Sequence, residues 1–99
     1  MALKLVISEP TVNDMLDIRA YIEPRSPQGA LSTMRRLANA MRKLSTKPYL
    51  GHARPDVLDP DLLVYRVGSY VIVYLTDAQS VTILRVIHGA RDFTKIKWT

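Results

Sequence analysis

The 99-residue chain contains no cysteine, so disulfides, thiolate chemistry and cysteine-ligated zinc are all excluded, and a reducing compartment is permitted. It has no apolar run near the roughly 18 residues a spanning helix needs, and the opening stretch 1–10 is too short in its apolar part for a signal segment. The expectation is a soluble, cytoplasmic protein with no membrane association. No glycine-rich phosphate loop, no metal-spaced histidine or acidic cluster and no nucleophile elbow occurs, so neither a metal nor a cofactor is expected. Histidine is scarce too: His52 and His88 are the only imidazoles.

What the chain does have is one domain's worth of core, with 47% hydrophobic and 23% charged residues, and we expect a single domain over 1–99. Fourteen Lys and Arg against nine Asp and Glu leave a net charge of +5, which favours an acidic partner: nucleic acid or an acidic protein segment.

Leu3, Leu5 and Ile7, alternating with Lys4, predict a short strand with one buried face, ended by Pro10. Thr11 reads as a helix cap. Val12, Met15, Ile18 and Ile22 then recur at helical spacing, with Asn13, Asp14, Asp17 and Arg19 toward water, until Pro24. Ser26-Pro27 restarts a longer helix, since serine caps free amides and proline loses nothing at the first helical position. Its apolar stripe is Ala30, Leu31, Met34, Leu37, Ala38, Met41 and Leu44, opposed by Arg35, Arg36, Arg42, Lys43 and Lys47. The proline- and aspartate-rich stretch 49–61 reads as a loop, and three strands follow: 62–67, 70–76 and 81–88. Two tight turns make them an antiparallel meander. The fold class is therefore α+β: a strand, a two-helix hairpin and a three-stranded meander in one sheet, with the helices on one face.

A two-residue turn at Gly68-Ser69 would set Val67 opposite Tyr70, placing Tyr65, Tyr70, Ile72 and Tyr74 on one face. Val64, Arg66, Val71, Val73 and Leu75 fall on the other, and two helices cover only one face. The second apolar face needs either a bound protein segment or the loop 49–61 folded across it. Arg85, set in an apolar strand, needs an acid such as Asp14 or Asp92. His88 and Arg91, three positions apart at the end of the last strand, form a polar cluster; the plainer role for the histidine is a hydrogen bond to a carbonyl.

Four segments taken in order, Asp14 to Ile22, Pro48 to Gly51, Arg66 to Tyr74 and Leu84 to Asp92, resemble the landmarks of RelE/ParE toxins across nearly the whole chain, and the His-x-x-Arg-Asp ending resembles the ParE branch. The resemblance implies the toxin of a type II toxin–antitoxin pair, neutralised by a wrapping, ParD-like antitoxin in a hetero-oligomer and touching DNA only through it. ParE-like members poison DNA gyrase, whereas RelE-like members cut messenger RNA on the ribosome. RelE-like ribonucleases carry cations where this chain has Leu62, Val64 and Val71, and only Arg91 matches a remaining basic position. Phosphodiester cleavage needs a group that activates the ribose hydroxyl and cations on the phosphate, which aliphatic side chains do not supply. The expectation is thus a gyrase poison without catalytic residues, the alternative being a ribonuclease using Arg91, Arg66 and His88. Target-facing residues are expected at His88, Arg91, Phe93, Lys95, Lys97 and Trp98, and antitoxin-facing ones at Leu62, Val64, Val71, Val73 and Leu75. Structural or electrostatic roles are expected for Arg66, Arg85 and Asp92.

Overall fold

Ser8, not Thr11, opens the first helix. In the structure, a computed structural model describing residues 2–89, the Ser8 Oγ accepts the Thr11 N–H at 3.2 Å, which satisfies one of the orphan amides of the first turn. Helix α1 therefore runs Glu9–Ile22 and takes Pro10 into its first turn, where a missing N–H costs nothing. The preceding strand β1, Lys4–Ile7, ends before the proline rather than at it. Thr11 is fully buried instead, its hydroxyl donating to the Ile83 carbonyl at 3.1 Å. Helix α2 spans Pro27–Thr46, capped by Ser26, whose Oγ accepts the Gly29 N–H at 2.9 Å.

The remaining strands are β2 (His52–Ala53), β3 (Leu63–Val67), β4 (Tyr70–Thr76) and β5 (Ser80–His88), joined in one sheet of order β1-β5-β4-β3-β2. The meander β3-β4-β5 is antiparallel as expected, with Val67 opposite Tyr70 across the Gly68-Ser69 turn. Gly68 takes φ +58°, the left-handed region a side chain disfavours. Two features lay beyond the sequence pattern. Strand β1 pairs parallel to β5, Leu5 opposite Val81, and forms one edge of the sheet; the two-residue β2 forms the other, with His52 opposite Val64.

Register then sorts the sheet into two faces. Ile72, Tyr74, Val81, Ile83 and Val86 point at α2 and meet Leu37, Ala40, Met41 and Leu44 in the main core, with Tyr65 and Tyr70 packed at its margin. This is the face assigned by parity. On the opposite face Leu62, Val64, Val71, Val73 and Ile87 form a second core with Leu58 of the loop, flanked by Val57, Leu75 and Leu84. That face is not bare: the chain's own loop closes it, and Leu62, Val64, Val71 and Val73 are buried without any partner. Each of these four buried side chains gains on the order of 1.5–3 kcal/mol from leaving water, a gain that offsets much of the entropy cost of ordering the loop.

Between the faces, Tyr74 is fully buried and its hydroxyl donates to the Pro48 carbonyl at 2.8 Å while accepting the Gly51 N–H at 2.9 Å. Burial pushes its ionisation upward. Only glycine fits at 51, because a Cβ there would stand 2.5 Å from the Val64 carbonyl oxygen and 2.6 Å from the Tyr74 hydroxyl. Among the described residues no helix is long and apolar enough to cross a membrane.

Candidate functional site

The pairing of β4 with β5 slips at one point. Val73 faces Arg85 but Tyr74 faces Ile83, so Leu84 has no opposite residue and β5 bulges there. The bulge is where α1 is tied down. Asp14 accepts from Arg85 Nε at 2.7 Å and Nη2 at 2.8 Å, and from the Val86 N–H at 2.9 Å. Arg85 thus takes Asp14 as its acid, and Asp14 turns inward rather than toward water. Both side chains are largely removed from solvent, and the carboxylate's hydrogen bonds hold the guanidinium firmly in its charged form. The Ser8 hydroxyl adds a bond to the Leu84 carbonyl at 3.0 Å.

Anchored this way, α1 turns part of its apolar surface outward. Val12 and Leu16, one helical turn apart, are 47% and 56% exposed, and Ile7 of β1 is 40% exposed. Val12 was expected in the core stripe; Thr11 occupies that place. Leu31 of α2 was likewise expected inside and is exposed. Val12, Leu16 and Ile7, with Leu5, Met34 and Ala38, line an apolar groove of about 390 Å³ between β1, α1 and α2. Arg42 stands at its rim, as does Arg19, which is ion-paired with Glu23 at 2.9 Å. The groove adjoins the outer edge of β1, which pairs with no strand among the described residues. An open strand edge beside an apolar groove is what an added peptide strand requires, and Arg42 at the rim favours an acidic one.

The expected polar cluster divides. His88 is exposed and lies opposite Tyr70, its ring edge-on to the tyrosine at 5.7 Å between centroids, in a hollow with Asp14, Asp17 and Tyr21 on the helix side. Arg66 sits on the other face, opposite Val71, its guanidinium against Gly89. The two are therefore separated by the sheet and do not form one constellation. Arg91, Asp92, Phe93, Lys95, Lys97 and Trp98 lie outside the described residues.

Arg66 has other company: a cleft of about 330 Å³ is lined by His52, Arg54 and Arg66 over a floor of Val64 and Val71. In the sequence His52 and Arg54 show only as loop residues, because the two-residue strand His52–Ala53 is too short to show alternation. Arg54 is engaged by Asp56 through a two-pronged ion pair, Nε to Oδ1 at 3.0 Å and Nη2 to Oδ2 at 2.9 Å, which also lowers the Asp56 pKa. The cleft can hold an anion, but the places implied for catalytic cations remain aliphatic.

Comparison with known proteins adds three findings. The family model described as "ParE toxin of type II toxin-antitoxin system, parDE" matches residues 5–93. Among solved structures the chain is similar to one from the chromosomal ParDE toxin–antitoxin system of P. aeruginosa, with a TM-score of 0.75 at 16% identity over 88% of this chain and 96% of that one. It is also similar to a chain of the RelBE2 toxin–antitoxin complex from Mycobacterium tuberculosis, with a TM-score of 0.63 at 20% identity over 89% of this chain and 99% of that one. No curated protein sequence matches the chain. The structural likenesses establish the shared α+β fold, and the family match over nearly the whole length, agreeing with the ordered landmarks of the sequence, establishes that this chain belongs to the ParE toxin family of type II toxin–antitoxin systems.

Proposed function

We propose that this toxin acts on DNA gyrase by protein–protein contact and is neutralised by a ParD-like antitoxin whose acidic, apolar-studded segment enters the groove between β1, α1 and α2. The observation that carries the antitoxin reading is the exposure of Ile7, Val12 and Leu16 beside an unpaired strand edge, with Arg19 and Arg42 at the rim. Burying one such aliphatic side chain in a complex is worth on the order of 1.5–3 kcal/mol. This assignment replaces the sheet face of Leu62, Val64, Val71 and Val73, which the loop already fills. Target contact is assigned to the exposed His88 end of β5 together with the segment carrying Arg91, Phe93, Lys95, Lys97 and Trp98.

Contact rather than hydrolysis is favoured by the separation of Arg66 from His88 and by the burial of Leu62, Val64 and Val71 at the positions implied for catalytic cations. The second reading, ribosome-dependent cleavage of message, draws on the cleft of His52, Arg54 and Arg66. The deciding experiment adds purified toxin to gyrase with supercoiled DNA and, in parallel, to translating ribosomes. Gyrase-trapped DNA breaks with intact message are expected; cuts in ribosome-bound message, abolished by Arg66→Ala, would reject the gyrase reading. Leu16→Glu tests the groove: cells producing it beside its antitoxin should stop growing, and continued rescue would reject that surface.

A further inference from the structure

Helix α2 carries Arg35, Arg36, Arg42 and Lys43 and no acidic residue, and Lys47 caps it. Solvated helices ordinarily mix signs so that carboxylates and cations pair along a face. Among the described residues the acids sit elsewhere, on or beside α1 and in the loops. Arg36, Lys43 and Lys47 are all exposed, and none pairs with a carboxylate among the described residues.

Their spacing places them in a row. Steps of seven and four residues return within about 20° of one line on a 3.6-residue helix, with rises of about 10.5 and 6 Å. The row lies about 100° around the helix from Arg35 and Arg42, and so away from the apolar groove that Arg42 borders. The guanidinium of Arg36 leans on the β3–β4 turn at Gly68, which extends the ridge to the sheet. Beside the row, toward Arg42, the surface carries Asn39, whose Oδ1 accepts from Arg42 and whose amide NH2 stays open among the described residues, and Thr46, whose hydroxyl donates to the Lys43 carbonyl at 2.9 Å; beyond Lys47 comes Tyr49, 75% exposed.

We infer that this ridge binds the phosphate backbone of duplex DNA directly, without reading sequence. A protein partner would need an apolar centre to its interface, and the ridge has none. A phosphate backbone needs only cations and small hydrogen-bonding side chains, which are what the ridge presents. Single strands are gripped by rows of stacked aromatics, whereas one tyrosine at the end of a cationic row suits a duplex. Such contact would hold the toxin near the DNA on which its target works, beyond any contact made through an antitoxin.

The test measures binding of purified toxin to a mixed-sequence duplex of about 20 bp by fluorescence anisotropy, at salt from about 50 to 200 mM. Two doubly reversed variants of identical net charge are compared: Arg36→Glu with Lys43→Glu on the ridge, and Lys4→Glu with Arg25→Glu away from it. All four side chains are exposed, but Arg25 stacks over the Tyr21 ring at 4.4 Å and Arg36 lies against Gly68, so the melting temperature of each variant is measured beside its binding and the comparison is made at a temperature where both are folded. The ridge variant is expected to bind at least about tenfold more weakly at low salt and to lose about two units from the log–log salt slope, while the other stays within about threefold of wild type. Equal losses in both variants, absence of duplex binding by the wild type, or ridge-dependent binding of polyglutamate in place of DNA would each overturn the inference. No gyrase is present in the assay, so its failure leaves the gyrase reading to its own test.

Discussion

The two faces of the sheet are closed by different means. On one, a regular twenty-residue helix lays Leu37 and Leu44 against Ile72, Tyr74 and Ile83, all of them fully buried. On the other, a short irregular loop presses Leu58 onto Val64, Val71 and Val73, and most of that cluster retains a few per cent of exposure. Helical cover is held by its own backbone ladder as well as by packing, so a lost side chain leaves a cavity with fixed walls. Loop cover depends on packing and a few turns, and it can settle into the space. The helix-covered face should therefore dominate stability, and the loop-covered face should be the first to open.

Leu44→Ala should have the largest effect, about 3 kcal/mol lost in urea denaturation, because the surrounding α2 and sheet atoms are fixed in place. A loss below about 1 kcal/mol would erase the proposed difference between the faces. Next comes Asp14→Ala, which strips Arg85 of its two hydrogen bonds and leaves the Val86 N–H unpaired at the bulge. About 2–3 kcal/mol should be lost, with α1 loosened first as seen by faster amide exchange in residues 12–18. Leu58→Ala, the same deletion on the loop side, should cost only about 1–2 kcal/mol but raise binding of a hydrophobic dye as Val64 and Val71 become reachable. Were its cost to equal that of Leu44→Ala, the loop would be as rigid a cover as the helix.

The smallest effect belongs to neither face. In the turn between β4 and β5, Asp77 Oδ1 accepts the N–H groups of Gln79 at 2.8 Å and Ser80 at 2.9 Å, bonds that favour the carboxylate and lower its pKa below the ordinary 3.8. A depressed folded pKa contributes stability that is present above the ordinary value and lost as pH falls through the folded one. Thermal melts of Asp77→Asn between pH 7 and pH 2 should accordingly lie slightly below wild type near neutrality and fall with a shallower acid slope, the two proteins converging at the acid end.

How much of this was legible in the sequence follows the same division. The helix-side face was readable because a two-residue turn at Gly68-Ser69 fixes register, and register fixes parity for Tyr65, Tyr70, Ile72 and Tyr74. The long stripe of α2 is readable because twenty residues repeat the helical period several times, although Leu31 in its second turn lies outside the core. The start of α1 lies one turn before the expected cap, since Ser8 and Thr11 are equally able caps and only the docking of Thr11 on Ile83 decides between them. The parallel seating of β1, the unmatched Leu84 and the closure by Leu58 are all contacts between distant segments, and no local period encodes them. The apolar groove was hidden for the same reason. Val12 and Leu16 look like core residues until the Asp14–Arg85 tie sets the rotation of the helix that carries them.

Tyr74 gives the two layers a common clasp. Its ring is part of the helix-side packing, yet its oxygen grips the chain at Pro48 and Gly51, where the segment leading to the other layer departs. Any movement of α2 that shifts that ring must also slacken the root of the segment bearing Leu58, so a partner prying at the helices would be felt on the far side of the molecule.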